Sequence, residues 1–320
     1  MNQIKNNRST IPNVNKIGDV IVEESVNKES FTEIIEGLDL NPPVIIKPNW
    51  GFSVCFTEAE ILDWTLEACN GDALIVESYG WARSKDMLVK GEWGSFERAD
   101  LRKSDEWFMD YSGIGKVLEK HGVEFLNITE EYWAERTASP DMIKELVEAK
   151  HQPLVETDFL RFVPSRLYEM REGTLLSLAK VRTLEAPMWV SLSVKNLFGM
   201  IPGPGRGKYH GKNHDRLNQS IVDINKVYDS LFEVGGVVEA VHTSSVRNRD
   251  TLEWQNIENP GFMSSSMDPV ELDAVIAGLL GTDPNSVGYL KLASETFGAW
   301  GDKAVNQGIR SAPHFTYLTG

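Results

Sequence analysis

The chain has 320 residues, of which 41% are hydrophobic and 25% charged, and a formal net charge of −15. That composition excludes a disordered chain and predicts a globular protein with one large domain or two lobes, bounded at about residues 17–165 and 166–320. The acidic balance also argues against nucleic acid as a partner.

No apolar run of about seven residues marks the first stretch as a secretory signal, and no run of about 18 marks a membrane span. The expected location is therefore the cytoplasm, with no membrane partner. The two cysteines, Cys55 and Cys69, are too few for a disulfide framework or for the four thiolates of an iron–sulfur cluster.

Taken in order, residues 1–16 are polar and read as a tail or an edge. Asp19–Glu23 alternates like a short strand, and Lys28–Leu38 has helical spacing. After the breaker Asn41-Pro42-Pro43, the run Val44-Ile45-Ile46 predicts a buried strand that delivers Lys47, Pro48 and Asn49 from its end. Thr57 with Glu60 reads as a capping box for the next helix, which Asn70-Gly71 ends. Ala73–Val76 is a second buried strand, followed by Glu77. Two strands around one helix predict a right-handed parallel βαβ unit.

Residues 79–110 break this rhythm with charged and aromatic side chains, including Trp81, Trp93 and Trp107, and read as an excursion over the site or a surface helix packed on the domain. Helices are predicted near 114–121 and 142–149, and strands at Val123–Ile128, Leu154–Val163, Leu175–Val181 and Trp189–Val194. A helix over 219–231, a strand over 237–241 and helices over 270–280 and 287–297 complete the chain. The fold class is α/β: a layered, largely parallel β-sheet flanked by helices, without an internal repeat.

The chemistry concentrates between Leu175 and His214. This stretch holds Lys180, Arg182, Lys195, Arg206, Lys208 and Lys212, with His210 and His214, against the single acid Glu185. A cationic island in an acidic chain reads as a solvated basic face or as a pocket for an anion, and lysines leaving buried strands favour the pocket. Lys195-Asn196 leads into a loop with three glycines and two prolines between Gly199 and Gly205. No phosphate-loop or dinucleotide fingerprint is present, so nucleotide binding has little support. His210 and His214 are four apart, but Gly211-Lys212-Asn213 between them is poorly helical, and no metal site is expected there. Asp268 and Pro269 read as a helix cap, whereas Glu77 and Asp273 can neutralise a lysine or accept a proton.

Four separated motifs carry a resemblance: VIIKPNWG at 44–51, ALIVESYG at 73–80, LAKVRT with SLSVKNLFGMIPG and GKYH in the basic island, and SMDPVELDAVIAGLLG at 266–281. In this order they resemble the DUF362 family. The resemblance implies functional roles for Lys47, Lys195, His210, Glu77 and Asp273. Many members carry ferredoxin-like cysteine clusters, which this sequence lacks, and Leu184 stands where relatives often place a histidine.

The resulting expectation is a cofactor-independent enzyme acting on a small anionic metabolite (carboxylate, phosphate or sulfate ester). It would work by proton transfer with elimination, isomerisation or intramolecular substitution. Lys195, His210, Glu77 and Asp273 are the candidate catalytic residues; Lys47, Asn49, Lys180, Arg182, Asn196, Arg206 and Lys208 are the candidate anion ligands. The alternative is a non-catalytic binding protein or an iron–sulfur-linked electron-transfer accessory. A homo-oligomer is left open.

Overall fold

The computed structural model describes residues 14–184, 188–247 and 254–311. Most of the polar N-terminal stretch and Glu185 of the basic island lie outside the described residues.

The architecture is a large mixed sheet between two helical layers. Its strands are β1 (Val14–Ile17), β2 (Val20–Glu24), β3 (Val44–Pro48), β4 (Ala73–Glu77), β5 (Phe125–Asn127), β6 (Thr174–Lys180), β9 (Glu233–Ala240) and β12 (Phe262–Ser266). They lie in the order β1-β2-β12-β9-β6-β3-β4-β5, so both halves of the chain contribute to one sheet. The five strands from β9 to β5 are mutually parallel, and β12 runs antiparallel to β9 and β2. The four remaining strands form a second sheet in the order β11-β10-β7-β8: β7 (Arg182–Thr183), β8 (Val190–Ser191), β10 (Thr243–Arg247) and β11 (Trp254–Glu258). β6 runs through Val181 into β7, and β9 is followed closely by β10, so the small sheet extends from the C-terminal ends of the central strands. In an open parallel sheet, those ends are where ligands bind.

Alternation along the central strands feeds two cores. Ile45, Leu175 and Ala179 pack on one side with Val222, Ile276 and Leu290 from three helices. Ile46, Leu176 and Leu178 pack on the other side with Phe31, Leu62 and Phe108. All twelve are buried, and burying each of them other than Ala179 contributes about 1.5–3 kcal/mol. A strand covered on both faces reads as a continuous apolar run, which is why β3 and β6 stand out in the sequence.

Three local expectations are corrected. Thr57 does not cap the helix Ala59–Ala68; Glu58 holds the N-cap position without a side-chain bond, while the Thr57 hydroxyl donates to the Leu178 carbonyl and accepts from the Asn49 amide. Leu154–Val163 is not a strand but a loop with a 3-10 turn over Thr157–Arg161. The Asp223 carboxylate accepts the Val155 and Glu156 amides, both at 2.8 Å, and Phe159 is buried against Tyr209. Trp189–Val194 shrinks to the two residues of β8, after which a short helix spans Ser193–Asn196.

That helix seats on β9 because Gly236 has no side chain. A Cβ there would stand 2.5 Å from Ser193 Oγ and 2.7 Å from Leu272 Cδ2. Gly236→Val should therefore cost about 1–3 kcal/mol by overpacking, although valine is the better strand former. Urea unfolding checks this; an unchanged or raised midpoint would show that the helix does not press on the strand.

Candidate active site

The innermost group is a buried ion pair. Lys47 ends β3 and Glu77 ends β4, and their side chains meet with Nζ 2.8 Å from Oε2, both almost wholly buried. Lys47 also donates to its neighbouring Pro48 carbonyl at 2.7 Å. Glu77 accepts the Trp50 amide at 3.2 Å and the Ser78 amide at 2.9 Å. Burial pulls the Lys47 pKa down, opposed mainly by the Glu77 charge. Asn196 joins the pair to the rest of the site: its amide donates to the Lys47 carbonyl and to Ser177 Oγ, and its oxygen accepts from Asn49 Nδ2 at 3.2 Å. Gly199 closes over them, since a Cβ there would stand 2.8 Å from Lys47 Nζ and 3.0 Å from Glu77 Oε1.

Lys195 lies on the short helix Ser193–Asn196, not at a strand end as expected. Asp273, fully buried on the helix Pro269–Leu279, accepts the Ser193 and Val194 amides at 2.9 and 2.8 Å and so fixes the turn that presents Lys195. Burial pushes the Asp273 pKa up to about 8, against those two amides, which favour the charged form. The Lys195 amine has no hydrogen-bond or ion-pair partner among the described residues, and burial with the nearby Arg182 and Arg206 charges lowers its pKa to about 7.

A cavity of about 270 Å³ opens beside these groups. Lys47, Arg182, Lys195 and Arg206 line it against one carboxylate, Glu77, a ratio of four cations to one anion among the described residues. Arg182 is buried on β7, stacked 4.4 Å from the Phe52 ring and 5.7 Å from the Trp254 ring, and its Nε has no hydrogen-bond partner among the described residues. Arg206 is tied to its surroundings, donating to Ser78 Oγ and to the carbonyls of Gly199 and Tyr79 at 3.1–3.2 Å. His210 lines the cavity edge-on to Phe198, and burial plus the Lys195 charge lowers its pKa to about 4, so it is neutral at pH 7. Trp81, Trp93 and Phe198 add flat apolar wall. Asn49 and Asn196 complete the set of expected residues that line the cavity.

Three expected site residues lie elsewhere. Lys180 is fully buried between Glu58 and Glu239, whose charges hold its pKa above the ordinary lysine range. The register explains this: Lys47 pairs with Ser177, so Lys180, three residues further along β6, points to the opposite face. Lys208 is exposed and bonded to Asp158 at 2.8 Å. Asp273 touches backbone amides, not the cavity, and is a positioning residue. His210 and His214 approach at 3.2 Å between Nδ1 atoms, with His214 in the left-handed backbone region. Among the described residues, no group of three or more His, Cys, Asp or Glu is arranged to hold a metal, and no helix is long and apolar enough to cross a membrane.

Sequence reasoning missed Ser78, which donates to the Gly199 and Ile201 carbonyls. It also missed Arg83, which is buried, ion-paired to Asp105 and bonded to the Trp50 and Ser78 carbonyls. Their place in the motif ALIVESYG and just after it was a signal only of position. Phe52 and Trp254 carry no charge or motif spacing, so nothing in the sequence singled them out as partners of Arg182.

A family model described as a domain of unknown function, DUF362, matches residues 44–278. The chain belongs to this family. Neither a curated protein nor a solved structure matches it significantly. The DUF362 match spans every cavity residue named above, from Lys47 to Trp254.

Two outcomes are expected of this DUF362 protein. Lys47→Met leaves the Glu77 carboxylate buried without its counter-ion and should cost about 3–5 kcal/mol, most of which the double variant with Glu77→Met should restore. Equal stability of the single and double variants in urea would mean that water replaces the ammonium. Lys195 gives a pH effect of defined sign. Its folded pKa of about 7 lies below the ordinary 10.5, so between these values the unfolded chain binds more protons and stability rises with pH. Wild type should gain on Lys195→Met as pH is raised from 7 to 9; a constant difference would mean an ordinary lysine.

Proposed function

We propose that the cavity binds a small organic anion and acts on it by proton transfer, without a resident cofactor. The observation that carries this reading is the unpaired Lys195 amine in a wall of four cations and one carboxylate. Held cations repel one another, and an anion relieves that repulsion. Arg182 offers a planar fork suited to a carboxylate, phosphate or sulfate. The rings of Phe52, Trp81 and Phe198 suit a flat or apolar remainder of the ligand.

The chemistry follows from the same groups. Lys195 and His210 can both be neutral near pH 7 and thus accept a proton, while the guanidinium of Arg182 stabilises negative charge that develops on the substrate or on a departing anion. Elimination, isomerisation and intramolecular substitution all need that combination. The glycine-walled pair Lys47–Glu77 is committed to holding β3 and β4 ends in place, so it serves geometry before chemistry. An electron-transfer accessory is the competing class; stoichiometric iron and sulfide in the purified protein would favour it.

Thermal unfolding in sulfate against chloride at matched ionic strength tests the anion site. Saturation at 100 times Kd adds about 2.7 kcal/mol, whereas screening acts through either salt. Wild type should gain specifically from sulfate and Lys195→Met much less. An equal gain in both proteins removes Lys195 from the site.

A further inference from the structure

Buried cations elsewhere in this chain have carboxylates beside them: Lys180 has Glu58 and Glu239, Arg83 has Asp105, and Lys226 has Asp223. Lys195, partly buried, has none among the described residues, and it lines the cavity with the Arg182 and Arg206 guanidiniums near enough for their charges to act on it. Such an arrangement is poor for a structural ion pair. It suits an amine that must lose its proton and expose a lone pair, because neighbouring positive charge disfavours the ammonium.

Arg182 and Arg206 are not equivalent. Arg206 spends donors on Ser78, Gly199 and Tyr79 and is a fixed part of the wall. Arg182 is 8% exposed, lies against aromatic rings, and its Nε has no hydrogen-bond partner among the described residues. A buried donor without a partner has a standing demand for an acceptor, which a bound carboxylate meets. The strand register places Arg182 opposite Ser191, four residues before Lys195 on the same segment, so anchor and amine belong to one local unit of the wall.

The geometry points to Lys195 as a nucleophile that forms an imine with the carbonyl group of an anionic oxo compound, a 2-oxo acid in its simplest form, anchored through its carboxylate by Arg182. This rests on the anion-binding reading of the same cavity and specifies its substrate class. The steps balance without an oxidant or reductant. The neutral amine adds to the carbonyl carbon; the C–N bond forms, the carbonyl π pair moves to oxygen, and the nitrogen proton passes to that oxygen. The C–O bond then breaks as the remaining nitrogen proton passes to that oxygen, one water leaves, and the nitrogen lone pair closes the C=N bond. Once protonated, the imine draws electron density from the adjacent C–H, whose proton the neutral imidazole of His210 can accept. Hydrolysis returns the amine and the oxo compound.

The experiment uses the full chain with phenylpyruvate as probe, since its ring matches the aromatic wall, and cyanoborohydride to reduce any imine to a stable secondary amine. Peptide mass spectrometry should find the reduced adduct on Lys195 ahead of every other lysine, at a rate that rises as pH passes through about 7. The adduct should form about tenfold faster than with the uncharged phenylacetone, the worth of one charge-assisted hydrogen bond. 3-Phenylpropanoate, an anion without the carbonyl, should slow it by competition. Lys195→Arg keeps a cation and cannot form the imine; its adduct should be absent, and the wild-type labelling pattern decides the matter even where a variant fails to fold. An adduct spread evenly over surface lysines, or none, overturns the proposal. If 3-phenylpropanoate still stabilises wild type while phenylpyruvate leaves no adduct, the covalent step is wrong and the anion site stands. If neither effect appears, both readings fall.

Discussion

The ion pair between Lys47 and Glu77 is the constraint on which the site depends. Two charges withdrawn from water are stabilising only with near-complete hydrogen bonding, and here the pair has it: Pro48 and Asn196 for the ammonium, the Trp50 and Ser78 amides for the carboxylate. The pair joins the ends of two adjacent parallel strands to the short helix through Asn196, and Gly199 lets the following loop close over it. Glu77, the one carboxylate on the cavity wall among the described residues, is ion-paired to Lys47; its charge also reaches Arg206 but makes no ion pair with Arg206, Arg182 or Lys195. The positive character of the cavity is thus a consequence of how its floor is held together.

Keeping those cations close without counter-ions requires other restraints. Each uses one that carries no full negative charge. Arg206 is fixed by two backbone carbonyls and a hydroxyl, Arg182 by the faces of Phe52 and Trp254, and Lys195 by a backbone turn that Asp273 holds from behind. Carbonyl dipoles and ring quadrupoles orient a cation without cancelling it. Asp273 illustrates the division of labour: its carboxylate acts on the backbone beneath Lys195, outside the cavity, so it orders the amine without serving as its salt-bridge partner.

Much of the frame was legible in the sequence, for one physical reason. Strands buried on both faces must be continuously apolar, so Val44-Ile45-Ile46, Ala73–Val76 and Leu175–Val181 announce β3, β4 and β6, and polar residues after them mark the sheet edge where Lys47 and Glu77 meet. What failed was whatever needed register or three-dimensional neighbours. Lys180 and Lys47 look alike as lysines closing apolar runs, yet the offset of three residues from Ser177 puts Lys180 on the other face, where Glu239 lies directly across in β9. The apolar content of Leu154–Val163 is real, but Asp223, remote in sequence, takes the amides that a strand ladder would have used. Trp189–Val194 begins as a strand and is cut short because Asp273, also remote, captures the amides of Ser193 and Val194.

The contrast between a chain of net charge −15 and a cationic cavity also shapes how a ligand arrives. Long-range attraction of an anion is opposed by the acidic surface, and at physiological ionic strength fields fade over about 8 Å. The proposed recognition of an anion would then act at short range, inside the cavity, where low dielectric strengthens each contact. The aromatic rim fits that requirement. Trp93 and Trp254 are exposed, and both line the cavity; they offer an approaching molecule a flat apolar surface whose attraction does not depend on net charge. On the proposed reading, a ligand with an apolar portion and one anionic end meets the rings and Arg182 together. On the proposed reading, a bare inorganic anion has the cations but not the apolar contacts, so it should bind more weakly than an organic anion of the same charge.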